Sequence, residues 1–278
     1  MANKIIDEFP LETPFKTDTL DLSNGRFYTQ RNVEPGSPDK VYMPSVTTIL
    51  KVIYKGEGFD RWLGNASSYK DAMEYADQAA TIGSIVHALC MRLLWGEVID
   101  TKDGFFDEYT ETDHKLDDRV NKRLIGFCKF VEDHQLEVVA NEMSLFNPRK
   151  HEGEVLYPYA GQVDQVYKID GKFIMCDIKT GAEYSTHGLQ LTAYKLIWDS
   201  LFPQYKIDEM WGLYLSDSWI KKPYKIKKYN FQPEDWLNAV DLWRWSRGAK
   251  NLEPRFRKEL ETRFELNLNN KELTEDGV

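Results

Sequence analysis

The sequence predicts an α/β fold in which helices come first and a mixed sheet with an inserted helix follows. Two observations carry this. Through residues 45–135 apolar positions recur at helical spacing, whereas from Glu137 onward the pattern changes to period two, the spacing of strands. One helical stretch, 186–201, then interrupts the strands.

Residues 20–43 are extended and turn-rich, with Asn24-Gly25 as a hairpin turn. Ser45-Val46-Thr47-Thr48-Ile49-Leu50 reads as a capped helix start. One helix is expected from about Phe59 to Gln78 and another from Ile82 to Trp95, stopped by Gly96. An acidic loop follows, then a helix over Lys115–Gln135. Strands are expected over Glu137–Phe146, Tyr159–Ile169, Lys172–Lys179, Ile207–Leu215 and Tyr224–Phe231. Thr186–Leu201 is helical, capped by Ser185 or Thr186, and Pro233–Gly248 is an amphipathic helix. Residues 1–250 thus form one domain, and 251–278 form a polar, loosely ordered tail.

Composition sets the class. A hydrophobic share of 42% and a charged share of 29% are those of an ordinary globular chain. No stretch reaches about 18 uncharged apolar residues, and the N-terminus lacks a signal-peptide pattern, so no membrane partner and an intracellular, cytoplasmic location are expected. Cys90, Cys128 and Cys176 are scattered and form no CxxC pair. That argues against a disulfide framework or structural zinc and for small buried side chains. The net charge of −9 weakly disfavours a nucleic-acid partner, but charge is local. Residues 100–118 are strongly acidic, while Lys221–Lys228 hold five lysines and no acid.

The most informative stretch runs from Gly161 to Gly181. Asp170-Gly171, between two apolar-rich runs, is a strong signal for a two-residue hairpin turn. Counting outward from it, Ile169 faces Lys172, Val166 faces Met175, Asp164 faces Asp177 and Gln162 faces Lys179. Opposed residues share a sheet face with Cβ atoms about 4.5–5.5 Å apart. Two carboxylates therefore oppose each other beside an ammonium, and they destabilise a sheet unless something neutralises them. A divalent cation would, and Mg²⁺ takes one or two carboxylates while keeping waters. The triplet Asp177-Ile178-Lys179 alone is weak evidence, because Asp100-Thr101-Lys102, Asp113-His114-Lys115 and Asp170-Gly171-Lys172 repeat it by chance. A salt-bridged, solvated sheet face is the bland alternative.

Taken together, Gly161-Gln162-Val163-Asp164, Asp177-Ile178-Lys179-Thr180-Gly181 and Gln190-Leu191-Thr192-Ala193-Tyr194 resemble the RecB-like branch of the PD-(D/E)XK nucleases. The pattern is similar to that of phage-encoded exonucleases and of the mitochondrial genome maintenance exonuclease. Upstream, Gly83-Ser84-Ile85-Val86-His87 resembles the family's helical G-x-x-x-H element, and Pro44-Ser45-Val46-Thr47-Thr48 its S-V-T opening. Asn141-Glu142 falls where the family often has a strand glutamate. Each motif is weak singly; their order and spacing over residues 44–195 carry the likeness.

The resemblance implies a restriction-endonuclease-like core, a mixed central sheet flanked by helices, with an N-terminal helical layer. It implies that His87, Asp164, Asp177 and the Ile178 carbonyl ligate one or two Mg²⁺ or Mn²⁺ ions, with Glu142 as a further ligand, an outer group or a solvated residue. Lys179 becomes the catalytic lysine. Gln190 and Tyr194, at i and i+4 on one helix face, approach the DNA backbone beside it. Val163 replaces the eponymous proline, which this branch tolerates. Three scattered cysteines cannot supply the four that hold an iron–sulfur cluster in some relatives, so no such cluster is expected. The implied activity is hydrolysis of DNA from an end, in the host cytoplasm if the chain is phage-encoded. A structure-specific or non-specific endonuclease, or a silent DNA-binding module of the same fold, are the alternatives. A helicase or single-strand-binding protein is a conceivable partner, and the lack of a Walker motif places any helicase on another chain.

Other residues keep two uses. Lys221, Lys225 and Lys227 alternate onto one face, where they grip phosphates or guard an edge strand. Ser45 and Thr47 contact a phosphate or only cap a helix. Trp62, Tyr69 and Tyr75 could stack on unpaired bases, but core packing is their expected use. His114, His134, His151 and His187 are assigned no role.

Overall fold

The computed structural model describes residues 11, 17–30, 41–102, 104–107, 112–147, 150–151, 154–155, 158–218, 222–248, 252 and 254–255. Most of the expected tail therefore lies outside the described residues. In chain order the elements are β1 (Thr17–Leu22), β2 (Gly25–Gln30), β3 (Tyr42–Pro44), α1 (Val46–Leu50), α2 (Glu57–Gly64) and α3 (Tyr69–Leu94). Then come β4 (Phe105–Asp107), β5 (Thr112–His114), α4 (Asp118–His134), β6 (Glu137–Phe146), β7 (Lys150–His151) and β8 (Glu154–Val155). β9 (Ala160–Ile169), β10 (Lys172–Lys179), α5 (Ser185–Leu201), β11 (Glu209–Leu215), β12 (Tyr224–Tyr229) and α6 (Pro233–Arg247) complete it.

The central sheet has the order β12-β11-β10-β9-β6. β10 and β11 run parallel and every other pair is antiparallel, so the sheet is mixed. α5 is the crossover that a parallel pair requires. Helices cover both faces. On one side α1, α5 and α6 pack on Val139, Val163, Val166 and Met175. On the other α3 and α4 pack on Tyr167, Ile174, Cys176 and Ile178. The central β10 is therefore apolar on both faces, which explains its unbroken Phe-Ile-Met-Cys run. Asp177 interrupts that run while only 1% exposed, and its position asks for a chemical reason.

The expected strand spans agree with the observed ones to within two residues, and the helices differ in where the first stretch breaks and in how α5 is capped. The break in the first helical stretch falls at 65–68, not at 79–81. Ser68 starts α3 by accepting a hydrogen bond from the Asp71 amide at 3.1 Å, and Ala79-Ala80 carries the helix onward. Gly83 sits inside α3 because a Cβ there would meet Thr180 Oγ1 at 3.2 Å. α5 begins without the expected Ser185 or Thr186 cap; Tyr184 precedes it and makes no capping bond. The β1–β2 loop is Ser23-Asn24, closed by the Leu22–Gly25 pair, one residue before the expected turn. Cys90 and Cys176 are buried as expected, but Cys128 is exposed.

Glu209 ties the far half of the sheet. Its carboxylate accepts from Lys172 of β10 at 2.8 Å and Lys228 of β12 at 2.6 Å, and these donors with the Trp211 indole pull its pKa down to about 2. A depressed carboxylate pKa contributes stability above the unfolded value and loses it as pH falls through the folded one. Solvent screening limits such exposed pairs to about 1 kcal/mol. Glu209→Gln is therefore expected to cost about that much at pH 7 by urea denaturation. The gap to wild type should close between pH 4.5 and pH 2.

Candidate active site

The site grows from the β9–β10 hairpin. Asp170 and Gly171 have φ of 49° and 80°, the two left-handed residues of a type I′ turn, whose twist matches the strands it joins. The register follows as counted: Lys172 pairs with Ile169, Met175 with Val166 and Cys176 with Gln165. The ladder stops there, one rung short of Asp177 and Asp164. In its place the Ile178 amide donates to Asp164 Oδ2 at 2.8 Å. A strand residue projects its N–H and C=O to the same edge, so the Ile178 carbonyl also looks toward Asp164.

Asp164 has a second neighbour. His87 of α3 brings Nδ1 to 3.4 Å from Asp164 Oδ2. The ring is 29% exposed, beside a carboxylate and not in an apolar core. On β6, Glu142 falls opposite Asp164, between the pairs Asn141–Gln165 and Met143–Val163. Glu142 thus neighbours Asp164 between β6 and β9, and the Asp164 charge acts on Asp177 of β10. Glu142 has a φ of 48°, a strained conformation for a side chain of its size. Burial pushes its carboxyl pKa up, against the pull of His87.

Asp177 is ringed by hydrogen-bonding side chains. Lys179 Nζ stands 2.5 Å from its Oδ2. Gln190 Nε2 donates to its Oδ1 at 3.2 Å and contacts Tyr194 Oη at 3.1 Å, while Gln190 Oε1 accepts from Lys179 at 3.3 Å. The Gln190 amide therefore holds carboxylate and ammonium in one geometry. Burial raises the Asp177 pKa, partly offset by Lys179. Burial would lower that of Lys179, but the charges of Asp177 and Asp164 outweigh it and keep the ammonium above the usual lysine value.

Two expected DNA contacts are corrected by burial. Tyr194 is 3% exposed. Its ring lies so close to β9 that a Cβ on Gly161 would sit 2.4 Å from Tyr194 Cε1. Gly161 makes room for the ring, and the tyrosine supports Gln190 from within instead of reaching a phosphate. Ser45 is 2% exposed; it caps α1 by accepting from the Thr48 amide at 3.0 Å. Thr47 is exposed. Lys225 and Lys227 do share a face, since both pair with Glu183. Lys221 lies outside the described residues.

His187, assigned no role from sequence, stands at the site's edge. Its Nδ1 is 2.7 Å from Tyr214 Oη, which is 2.5 Å from Tyr229 Oη. Burial and the Lys179 charge lower its pKa to about 4, so the ring is neutral at pH 7. Its place one turn before Gln190, at i and i+3, was the available signal. Arg123 is the other residue without a warning in sequence. It is 8% exposed and donates to the Thr180 carbonyl at 3.0 Å and Asp217 at 2.9 Å, fixing the segment after Lys179.

These donors, carboxylate and carbonyl oxygens with one imidazole, are of the kind Mg²⁺ and Mn²⁺ accept. Asp177 Oδ2 is buried, and its partner is the Lys179 ammonium at 2.5 Å. Three carboxylates, Glu142, Asp164 and Asp177, stand here with one lysine and one histidine, a donor set that fits a divalent cation. Among the described residues no three of His, Cys, Asp and Glu close on one point. In this arrangement Lys179 faces Asp177 and the Ile178 amide takes up an Asp164 oxygen.

No family model matches the chain, and no curated protein matches it. Among solved structures it is similar to one described as "Crystal structure of SSO0001", at TM-score 0.36 and 14% identity over 81% of this chain and 82% of that one. So slight a likeness carries no argument. No helix among the described residues is long and apolar enough to cross a membrane.

Proposed function

We propose that the chain is a metal-dependent DNA nuclease built on a PD-(D/E)XK core, hydrolysing phosphodiester bonds from a DNA end. The observation that carries the reading is the interrupted β9–β10 ladder. There the Ile178 amide donates to Asp164 Oδ2 in place of the next rung, with His87 against Asp164 and Lys179 against Asp177. A carboxylate buried like that of Asp177 in the middle of a sheet costs stability, and a catalytic role accounts for its presence.

Asp164, Asp177, the Ile178 carbonyl and His87 would hold Mg²⁺ or Mn²⁺, with Glu142 opposite. When bound, the ion supplies Lewis acidity toward the phosphate and lowers the pKa of water. Lys179, held charged, is aimed where negative charge grows as water attacks phosphorus in line. Gln190 keeps that ammonium from swinging away, and Tyr194 keeps Gln190 in place.

End-labelled single-stranded, duplex and circular DNA, incubated with purified protein, test the proposal. Linear DNA should shorten from one end in Mg²⁺ or Mn²⁺, circles should survive, and chelator should stop the reaction. Ca²⁺ should bind without supporting turnover, as it holds its ligands in a looser geometry. Cleaved circles would point to an endonuclease, and full activity in chelator would end the metal-nuclease reading.

A further inference from the structure

Tyr69 and Tyr75, expected in the core, are exposed, whereas Tyr214 and Tyr229 are buried with their hydroxyls inside. Lys179 of β10 and Tyr214 of β11 are register partners in the parallel pair. Their side chains therefore leave the same sheet face, on strands about 4.8 Å apart. Room for the two tyrosines is built in. A Cβ on Gly212 would lie 2.9 Å from Tyr214 Cε2 and 3.0 Å from Tyr229 Cε2, and one on Gly188 of α5 would lie 2.6 Å from Tyr229 Cδ1. Both rings lean over Gly212, and their hydroxyls meet at 2.5 Å.

The protons of this pair and of His187 can be counted. Tyr229 Oη has Tyr214 Oη as its partner, and Tyr214 Oη also meets His187 Nδ1 at 2.7 Å. Each contact holds one proton, and each phenol brings one. If Nδ1 donated to Tyr214, Tyr214 would donate to Tyr229, and the Tyr229 proton would be left inside without an acceptor, at a full desolvation cost. With Tyr229 donating to Tyr214 and Tyr214 donating to Nδ1, every proton is used. The ring then carries its own proton on Nε2. Burial and the Lys179 charge keep it from taking a second one at pH 7. Nε2 has no hydrogen-bond partner among the described residues and is open to solvent. His187 is thus a neutral N–H donor whose direction two buried phenols fix.

Its place selects its ligand. In the sheet order Asp164 of β9 lies to one side of β10, and Tyr214 of β11, with His187 on it, to the other. A chain of phosphates that crosses from the carboxylates past Lys179 reaches His187 next. A second cation there would be repelled by Lys179. A neutral N–H is not, and it still bonds an anionic oxygen, as a charge-assisted hydrogen bond.

We infer that His187 is a phosphate-binding residue, whose Nε2–H bonds a non-bridging oxygen of the DNA phosphate next to the one that Lys179 faces. That the ligand is DNA rests on the nuclease reading; the tautomer does not.

Two measurements on the full chain in chelator test this. Nuclear magnetic resonance of ¹⁵N-histidine-labelled protein should show the His187 ring protonated on Nε2 alone at pH 7, its signals assigned by their loss in His187→Gln. An oligo(dT) strand should shift that Nε2–H signal. In fluorescence anisotropy with the same strand, His187→Phe, which keeps a ring, should bind about tenfold more weakly, the loss of one hydrogen bond to a charged group. His187→Gln, whose side-chain amide donates from near the Nε2 position, should recover most of that loss. A neutral donor displaces no counterion, so wild type and His187→Phe should share one salt dependence. A ring protonated on Nδ1, an unshifted Nε2–H, wild-type affinity in His187→Phe, no recovery in His187→Gln, or a flatter salt dependence in His187→Phe would each overturn the inference. If circular dichroism shows His187→Phe unfolded, the tautomer, the strand-induced shift and His187→Gln decide. Cleavage in Mn²⁺ alongside an unshifted His187 would leave the nuclease reading standing without this contact. A shifted Nε2–H and weakened His187→Phe without cleavage would sink the nuclease reading and keep His187 as a phosphate ligand.

Discussion

Lys179→Ala should lower single-turnover cleavage by about 10²–10³-fold or more, the cost of removing one preorganised electrostatic donor, while DNA binding stays nearly unchanged. The argument rests on where Lys179 is held. Its ammonium is fixed between Asp177 Oδ2 at 2.5 Å and Gln190 Oε1 at 3.3 Å. It is only 18% exposed and so poorly placed to grip ground-state phosphates along a strand. An interaction made chiefly in the transition state changes rate and not affinity. Lys179→Arg should not rescue, because a planar fork does not fit the space of a point charge beside Gln190. Cleavage by Lys179→Ala at the wild-type rate would sink the catalytic assignment, whatever the protein binds.

Asp177→Asn should lose at least as much activity, yet its metal-free thermal midpoint should equal or exceed that of wild type. The sign follows from burial. Burial and the Asp164 charge raise the Asp177 pKa despite Lys179. A carboxyl whose folded pKa lies above its unfolded one is ionised at neutral pH at a cost to the fold. An isosteric amide removes that cost and the repulsion from Asp164, while the Lys179 ammonium keeps the Asp164 charge and the Gln190 carbonyl as partners. Mn²⁺ should raise the midpoint of wild type by mass action and that of Asp177→Asn much less. Scanning calorimetry with and without Mn²⁺ checks both halves. A variant that melts well below wild type without metal would make Asp177 a structural residue, held for its ion pair with Lys179.

Local chemistry determined a large part of this protein. Asp170-Gly171 settles the hairpin register as far as Cys176–Gln165, because a turn with two left-handed residues matches the twist of the strands it joins. The expected Asp164–Asp177 and Gln162–Lys179 pairs do not form, since the Ile178 amide turns to the Asp164 carboxylate. The strand spans were legible because side-chain alternation leaves a period that burial enforces. Packing between distant segments decided the rest. Nothing local to Tyr75 says that α2 stands away from the core, so the sequence alone predicts a buried ring where the structure leaves it 60% exposed. Nothing near Tyr194 says that Gly161, from another strand, leaves room for its ring. His187 owes its low pKa to burial and to the charge of Lys179, and the β12 lysines meet Glu183 from the loop before α5. Burial, pKa and close approach depend on which segments the folded chain brings together, and only the tertiary structure specifies those.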